Sequence, residues 1–277
     1  MPQIINTNVM SLNSQRALNM SQKSMATSLE RLSSGLRINR AADDAAGLAI
    51  AERFTSQIRG LSQSIRNAND GISMAQTGEG AMAEITNAFQ RMRELAVQAA
   101  NGIYNSTDRG SLNLEFAQLQ LEVNRIINAT EFNELPILAQ ASTIIFQVGF
   151  KDSANDRINL QTIDMTSAST ITNAIASTLT ITQVASAQAA LAILTTAINQ
   201  VTSLRAEYGA AQNRLESTIR NLENVIENQN AARSRIMDAD FAAETANLTR
   251  TQILQQAGTA MLAQANQLPS NVLSLLG

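Results

Sequence analysis

The chain has 277 residues, 44% hydrophobic but only 3% aromatic, with no Trp, three Pro and a net charge of −3; its apolar mass of Ala, Leu, Ile and Met suits a core of packed helices. Cys and His are both absent, which excludes disulfides, a thiolate nucleophile, the commonest general base and the usual zinc sites, so neither a cofactor nor an enzymatic role is expected. No basic cluster is available for nucleic acid, no run of about eighteen apolar residues predicts a membrane-spanning helix, and no ordinary secretory leader is evident.

In chain order, residues 4–33 read as a helix. Ile5 and Leu12 are spaced by seven, as are Leu18, Met25 and Leu32. Thr7 or Ser11 is placed to cap its start and Gly35 to end it. Residues 33–44 read as irregular. From Ala51 an apolar three-four rhythm runs through Phe54, Ile58, Leu61, Ile65, Ala68, Ile72 and Ala75, meets Glu79, and resumes at Met82. A three-residue shift then leads through Ile85, Phe89, Met92, Ala96 and Ala99, an interruption that overwinds a coiled coil locally. About fifty residues at about 1.5 Å each predict a rod of roughly 75 Å. Asn101-Gly102 marks a turn. Ser106, Thr107 or Asp108 can cap the next helix, which has one stripe at Leu112, Phe116, Leu119, Val123 and Ile126 and another at Leu114, Leu121 and Ile127. Two apolar faces predict two packing neighbours.

At Thr143 the period changes to two: Ile144, Phe146, Val148 and Phe150 alternate, a turn-rich KDSANDR follows, and Ile158 and Leu160 alternate again. This predicts a β-hairpin over about 143–163. Residues 165–183, rich in Ser, Thr and Ala, resist assignment. A second long helix is predicted from Val184 to Ile226, then a charged break at 233–240, then a terminal helix. Thr251–Gly277 contains no Asp, Glu, Lys or Arg, and neither do the first fifteen residues. Its apolar stripe is Leu254, Ala257, Met261, Ala265 and Leu268, expected to turn toward the N-terminal helix, and its other face carries Gln255, Gln264, Asn266 and Gln267.

Two long helices of matched length joined by a reversing segment should pair antiparallel and bring the two breaks side by side. The fold class expected is mainly α: a long antiparallel helical coiled-coil bundle with a small β-hairpin region, its terminal helices pairing as an inner core domain. Residues 1–43 with 235–277 form that inner domain and 44–234 an outer helical-rod domain. Uncharged amphipathic ends imply burial against other copies of the same protein, and the inter-subunit packing residues expected are Ile5, Leu12, Leu18, Met25, Leu32, Leu254, Met261 and Leu268. A membrane-surface helix would want Lys or Arg on its polar face, which residues 251–277 lack. Asp43-Asp44 is read as a helix N-terminus, where acids suit the dipole.

The segments IINTNVMSLNSQRALN, LERLSSGLRINRAADDAAGLAIAERF, QRMRELAVQAANG and NLTRTQILQQAGTAMLAQANQLPSNVLSLLG resemble bacterial flagellin, here a short form without the large variable outer domains. The resemblance covers roughly 1–135 and 200–277. It implies a structural subunit that self-assembles into the helical flagellar filament for swimming motility, with terminal helices lining a central export channel. The runner-up is a hook–filament junction protein. The resemblance also implies secretion by the flagellar type III apparatus to an extracellular filament, an export chaperone, a filament cap protein and junction proteins as partners, and no nucleic acid or membrane. The neutral face at Gln255, Gln264, Asn266 and Gln267 would then face the channel. Some flagellins activate toll-like receptor 5, and the matching positions here are Arg91, Leu95 and Glu115.

Overall fold

A computed structural model describes residues 7–273, with side chains through Gln267. Ile5 and the side chain of Leu268 therefore lie outside the described residues. The first helix, α1, is Val9–Ser34; it is capped by Asn8, whose side chain accepts from the Ser11 amide at 3.0 Å, and ended by Gly35 at φ 72°. Gly35 takes the left-handed conformation that glycine adopts without steric cost. The second, α2, is Ala45–Ala100. Asp44 accepts the Gly47 amide at 2.8 Å, and Asp43 accepts the Asn39 and Arg40 amides. Those backbone donors, Arg40 first, hold the Asp43 carboxyl below its ordinary range. Helix α3, Ser106–Ala129, opens on a capping box in which Asn105 and Asp108 exchange bonds.

Strands β1 (Glu131–Phe132) and β2 (Leu135–Pro136) form a short ribbon turned by Asn133 and Glu134, both at positive φ. Strands β3 (Thr143–Gln147) and β4 (Arg157–Gln161) pair antiparallel, with Ile144 opposite Leu160 and Phe146 opposite Ile158. This is the hairpin that period-two spacing predicts. Residues 165–183, left unassigned by the sequence, hold a short helix, α4 (Ser169–Ile175). Helix α5 is Val184–Met237 and α6 is Phe241–Leu273. The charged break expected at 233–240 shrinks to 238–240, because Arg233 and Arg235 sit on the last turns of α5, where cations suit the helix dipole.

The protein divides into two compact units, residues 1–58 with 227–277 and residues 59–226. The division falls inside α2 and α5 rather than at the irregular breaks. In the first unit those breaks do lie side by side: Leu36 bridges Asp238, the Arg37 amide donates to Met237 O at 2.6 Å, and the Ala239 amide donates to Gly35 O at 3.0 Å.

The second unit holds the larger core. Its part of α2 buries Leu61, Ser64, Ala68, Gly71, Ala75, Gly78, Met82, Ile85, Phe89, Met92, Ala96 and Ala99. Steps of three and four alternate through this set without interruption, so the predicted three-residue shift is absent. Apolar spacing alone passes through Ile72 and Glu79, whereas the seam uses Gly71 and Gly78. The reason is the partner side chains. A Cβ on Gly71 would lie 3.2 Å from Leu215 and 3.3 Å from Phe146, and one on Gly78 would lie 2.8 Å from a ring carbon of Tyr208. Glu79, displaced to the seam edge, accepts from Arg205 and Gln212, each at 3.3 Å. An eighteen-residue window of α5 reaches mean hydropathy 1.3, although Thr195, Thr196 and other polar residues interrupt its apolar positions. Ala187, Ala190, Leu194, Ala197 and Val201, near the start of α5, are buried in the core.

Helix α3 buries Phe116, Val123 and Ile127 but leaves Leu114 and Leu121 exposed, so the second predicted stripe is not covered by the described residues. Polar residues on the buried side do a different job. The Gln120 side-chain amide donates to the carbonyls of Ala174, Ala176 and Leu179 at 3.0–3.2 Å, and Asn113 accepts the Ile181 amide at 2.9 Å. These bonds satisfy the backbone of a segment with little secondary structure of its own.

Gly78→Ala is expected to destabilise the second unit by about 1–3 kcal/mol through overpacking against Tyr208, read as a lower urea midpoint. Tyr208→Phe should be neutral or mildly stabilising, because the buried hydroxyl has no hydrogen-bond partner among the described residues. Burial, aided by the Glu207 charge, pushes the Tyr208 phenol up to about 12. Its stabilising preference for the neutral form is present below the unfolded value and is lost as pH rises through about 12. An ultraviolet titration should therefore show one of the two tyrosines ionising late, and cooperatively with unfolding.

Candidate assembly interface

The first unit is built around α1 and α6, which run antiparallel. On α1 the covered positions are Ser11, Ser14, Leu18, Ser21, Met25, Ser28 and Leu32; on α6 they are Glu244, Leu248, Thr251, Gln255, Gly258, Leu262 and Ala265. Both sets alternate steps of three and four. The seam therefore interleaves a few large apolar side chains with Ser, Thr, Gly and Ala. Small residues let the backbones approach. Asn8 Nδ2 donates to Ala265 O at 2.7 Å and Ser21 Oγ donates to Thr251 O at 3.2 Å, both from a side group on one helix to the backbone of the other. A Cβ on Gly258 would sit 3.3 Å from Leu18.

One ionised pair is set into this seam. Glu244 is 8% exposed; it accepts from Ser28 Oγ at 2.8 Å and from Arg31 Nη1 at 2.8 Å. The Arg31 guanidinium holds the Glu244 carboxyl below its ordinary range, against the opposing effect of burial, and Ser28 adds to the lowering. Removing one partner of a covered pair leaves the other charge uncompensated. Nothing in the apolar pattern points to Glu244, but it stands seven residues before Thr251 and fourteen before Gly258, on the seam repeat.

The expected packing residues separate into two groups. Leu18, Met25 and Leu32 are half-buried in the α1–α6 seam. Leu12, Leu254 and Met261 are exposed, at 52%, 52% and 60%. The stripe containing Leu254, Ala257 and Met261 thus does not turn toward α1, as apolar spacing predicts. Of that stripe Ala265 is in the seam, because the close approach selects the small residues of α6 and rotates its larger ones outward. Val9, Met10, Met20 and Leu29 on α1, and Phe241 and Ile253 on α6, are also exposed. So many uncovered large apolar side chains on one helix pair are the mark of an interaction surface. Of the polar positions, Gln255 is half-buried beside the seam, whereas Gln264, Asn266 and Gln267 are exposed and Asn266 accepts from Ser11 Oγ at 2.8 Å.

In the second unit, Arg91 bonds Glu115 at 2.8 Å and Glu94 at 2.9 Å, all three well exposed. Its hydrogen bond to Glu115, then that to Glu94, raises the guanidinium above its ordinary value. Leu95 is 1% exposed in the core. The three expected recognition positions therefore do not make one surface: Arg91 and Glu115 present side chains to solvent, and Leu95 has none to present.

Comparison with known proteins agrees with this geometry. Residues 5–143 match the bacterial flagellin N-terminal helical region and residues 191–276 the bacterial flagellin C-terminal helical region. The chain is 47% identical to a flagellin of Halalkalibacterium halodurans, covering 99% of both. It is 42% identical to a flagellin of Bacillus subtilis, covering 98% of this chain and 99% of that one. To the flagellar filament 33 kDa core protein of Treponema phagedenis it is also 42% identical, covering 99% of both. Among solved structures, Bacillus cereus flagellin matches 57% of this chain and 88% of its own, at 34% identity and TM-score 0.50. A hook-associated protein of Vibrio parahaemolyticus matches 71% of this chain at TM-score 0.60 but 12% identity, a likeness of fold alone.

Because the folded-state pKa of Glu244 is depressed, its contribution is present above the unfolded carboxylate range and is lost as pH falls through the folded value. Wild-type protein should lose α1–α6 helicity in acid, read by circular dichroism. Glu244→Gln should be less stable near neutrality and lack that component of the acid transition. Superimposable pH curves for the two proteins would show that the pair contributes nothing.

Proposed function

The chain belongs to the bacterial flagellin family, and we propose that it acts as the subunit of a helical flagellar filament for swimming, packed through its two terminal helices. Flagellins are structural proteins, not enzymes. Full-length kinship with a filament core protein and with flagellins favours the filament over the hook–filament junction role. The observation that carries the reading is the set of uncovered apolar side chains on α1 and α6, from Leu12 and Met20 to Leu254 and Met261. Each square ångström of such surface removed from water contributes about 25 cal/mol. A lone subunit leaves that contribution unrealised, and packing of copies realises it.

In this reading residues 1–43 and 235–277 form the inner filament core and 44–234 the outer helical domain. Gln264, Asn266 and Gln267 suit the wall of a central export channel, because uncharged polar side chains neither trap nor repel a passing charged segment. Gln255, half in the seam, contributes less to such a wall. Secretion through the flagellar type III apparatus, a chaperone on the C-terminal part, a cap protein at the growing tip and junction proteins at the base follow from the family role. Toll-like receptor 5 would meet the protein at Arg91 and Glu115, with Leu95 acting only by holding α2 in place beneath them.

Leu254→Glu combined with Met261→Glu should leave a helical monomer that fails to elongate seeded filaments under electron microscopy. Removal of residues 251–277 should likewise give a monomer whose 59–226 unit still folds. Filaments of normal length from either protein would defeat the proposal. For the receptor, Arg91→Ala should lose reporter-cell signalling while filaments still form.

A further inference from the structure

We infer that Asn101 is a site of spontaneous deamidation, and that its conversion loosens the connection between α2 and α3. Asn101-Gly102 is the one Asn-Gly pair in the sequence. It falls just past the last residue of α2, before Asn105 caps α3. Both residues are exposed, and Ile103 beside them is 80% exposed. The Gly102 amide thus lies outside the α2 hydrogen-bond ladder and open to solvent base. The Ile103 amide donates to Asn101 Oδ1 at 3.3 Å. That bond keeps the side-chain amide on the Gly102 side of the residue and draws electron density from Cγ, making it a better electrophile.

The chemistry needs only water. The deprotonated Gly102 nitrogen attacks Asn101 Cγ, a new C–N bond forms, and the Cγ–Nδ2 bond breaks with release of ammonia. The five-membered succinimide so formed is opened by water at either carbonyl, giving aspartate or isoaspartate. One neutral amide becomes one carboxylate, with no change in oxidation state. Glycine allows this because it has no Cβ to obstruct ring closure. Asp70-Gly71 belongs to the same sequence class but stands in the middle of α2, with Gly71 packed against Leu215 and Phe146. The helix ladder keeps that amide engaged, so Asn101 is the reactive position.

The consequence is local. Asn101 O accepts from Arg109 Nη2 at 3.0 Å, while Arg109 Nε donates to Ala99 O at 2.9 Å. Arg109, on the first turn of α3, is thereby tied to the end of α2. In isoaspartate the backbone runs through Cβ and Cγ, one methylene longer, and a free carboxylate stands on Cα. The guanidinium is then drawn to the new charge and the carbonyl contact that closes the turn is displaced. None of this depends on the filament reading.

The test is incubation of the full-length protein in warm, mildly alkaline buffer, followed by peptide mass mapping and isoaspartyl methyltransferase labelling. The Asn101 peptide should gain one negative charge and the mass of an amide-to-acid conversion before any other asparagine peptide, with isoaspartate in excess over aspartate. Hydrogen exchange across 101–109 should quicken in the isoaspartyl form. Gly102→Ala should slow the conversion without loss of helicity, because an added Cβ there meets nothing within 4 Å. Asn101→Gln should suppress it. Persistence of Asn101 for as long as the helical asparagines, or an unaltered rate in Gly102→Ala, would overturn the site. Unchanged exchange across 101–109 would overturn the loosening.

Discussion

Small residues placed opposite large ones, or opposite a facing backbone, are the constraint on which both units rest. At α1–α6, Ser21, Ser28, Thr251, Gly258 and Ala265 occupy positions that a conventional coiled coil would fill with Leu or Ile. Side chains of that size cannot exclude much water by themselves. They act by letting backbones come near enough for Asn8 and Ser21 to reach carbonyls on the facing helix. In the second unit Gly71 and Gly78 play the matching part, leaving room for Leu215, Phe146 and the Tyr208 ring. The large partners supply the buried area and the glycines make it accessible.

Filling a seam with small residues has an outward consequence. A helix has only so many positions per turn, and the bulky apolar residues not used inside must point elsewhere. On α1 and α6 they point to solvent, at Met10, Leu12, Met20, Leu254 and Met261 among others. A stable monomer would place charge there. The terminal segments place almost none, so the same choice that closes the pair leaves it adhesive toward other copies. The Arg31–Glu244 pair adds register to this otherwise permissive seam, since a slip by one turn would strand a mostly covered carboxylate.

Around α3 the same economy takes a polar form. Gln120 and Asn113, seven residues apart, clasp the Ser- and Thr-rich segment between β4 and α5 by its backbone. A segment with too few large apolar residues to pack itself is thus held by a neighbour's amides, while Ile171, Ala174 and Ile181 fill the core beneath. Leu114 and Leu121 on the opposite face stay uncovered.

Local signals in the sequence determined much of this molecule: the long helices, the stop at Gly35, the hairpin paired through Ile144–Leu160 and Phe146–Ile158, the adjoining breaks, and the uncharged ends that imply assembly. Each rests on periodicity, turn chemistry or composition within a short stretch. Tertiary structure alone decided where the α2 seam passes through glycine and which face of α6 turns inward. A hydrophobic count passes over Gly78 in favour of Glu79, and over Thr251 and Gly258 in favour of Leu254 and Met261. Those preferences reverse only when the opposing side chain is known. The family resemblance likewise brings Arg91, Leu95 and Glu115 to notice together, but burial separates Leu95 from the other two. Small residues carry no pattern of their own; their meaning is the space they leave, and that space is defined by a partner distant in the sequence.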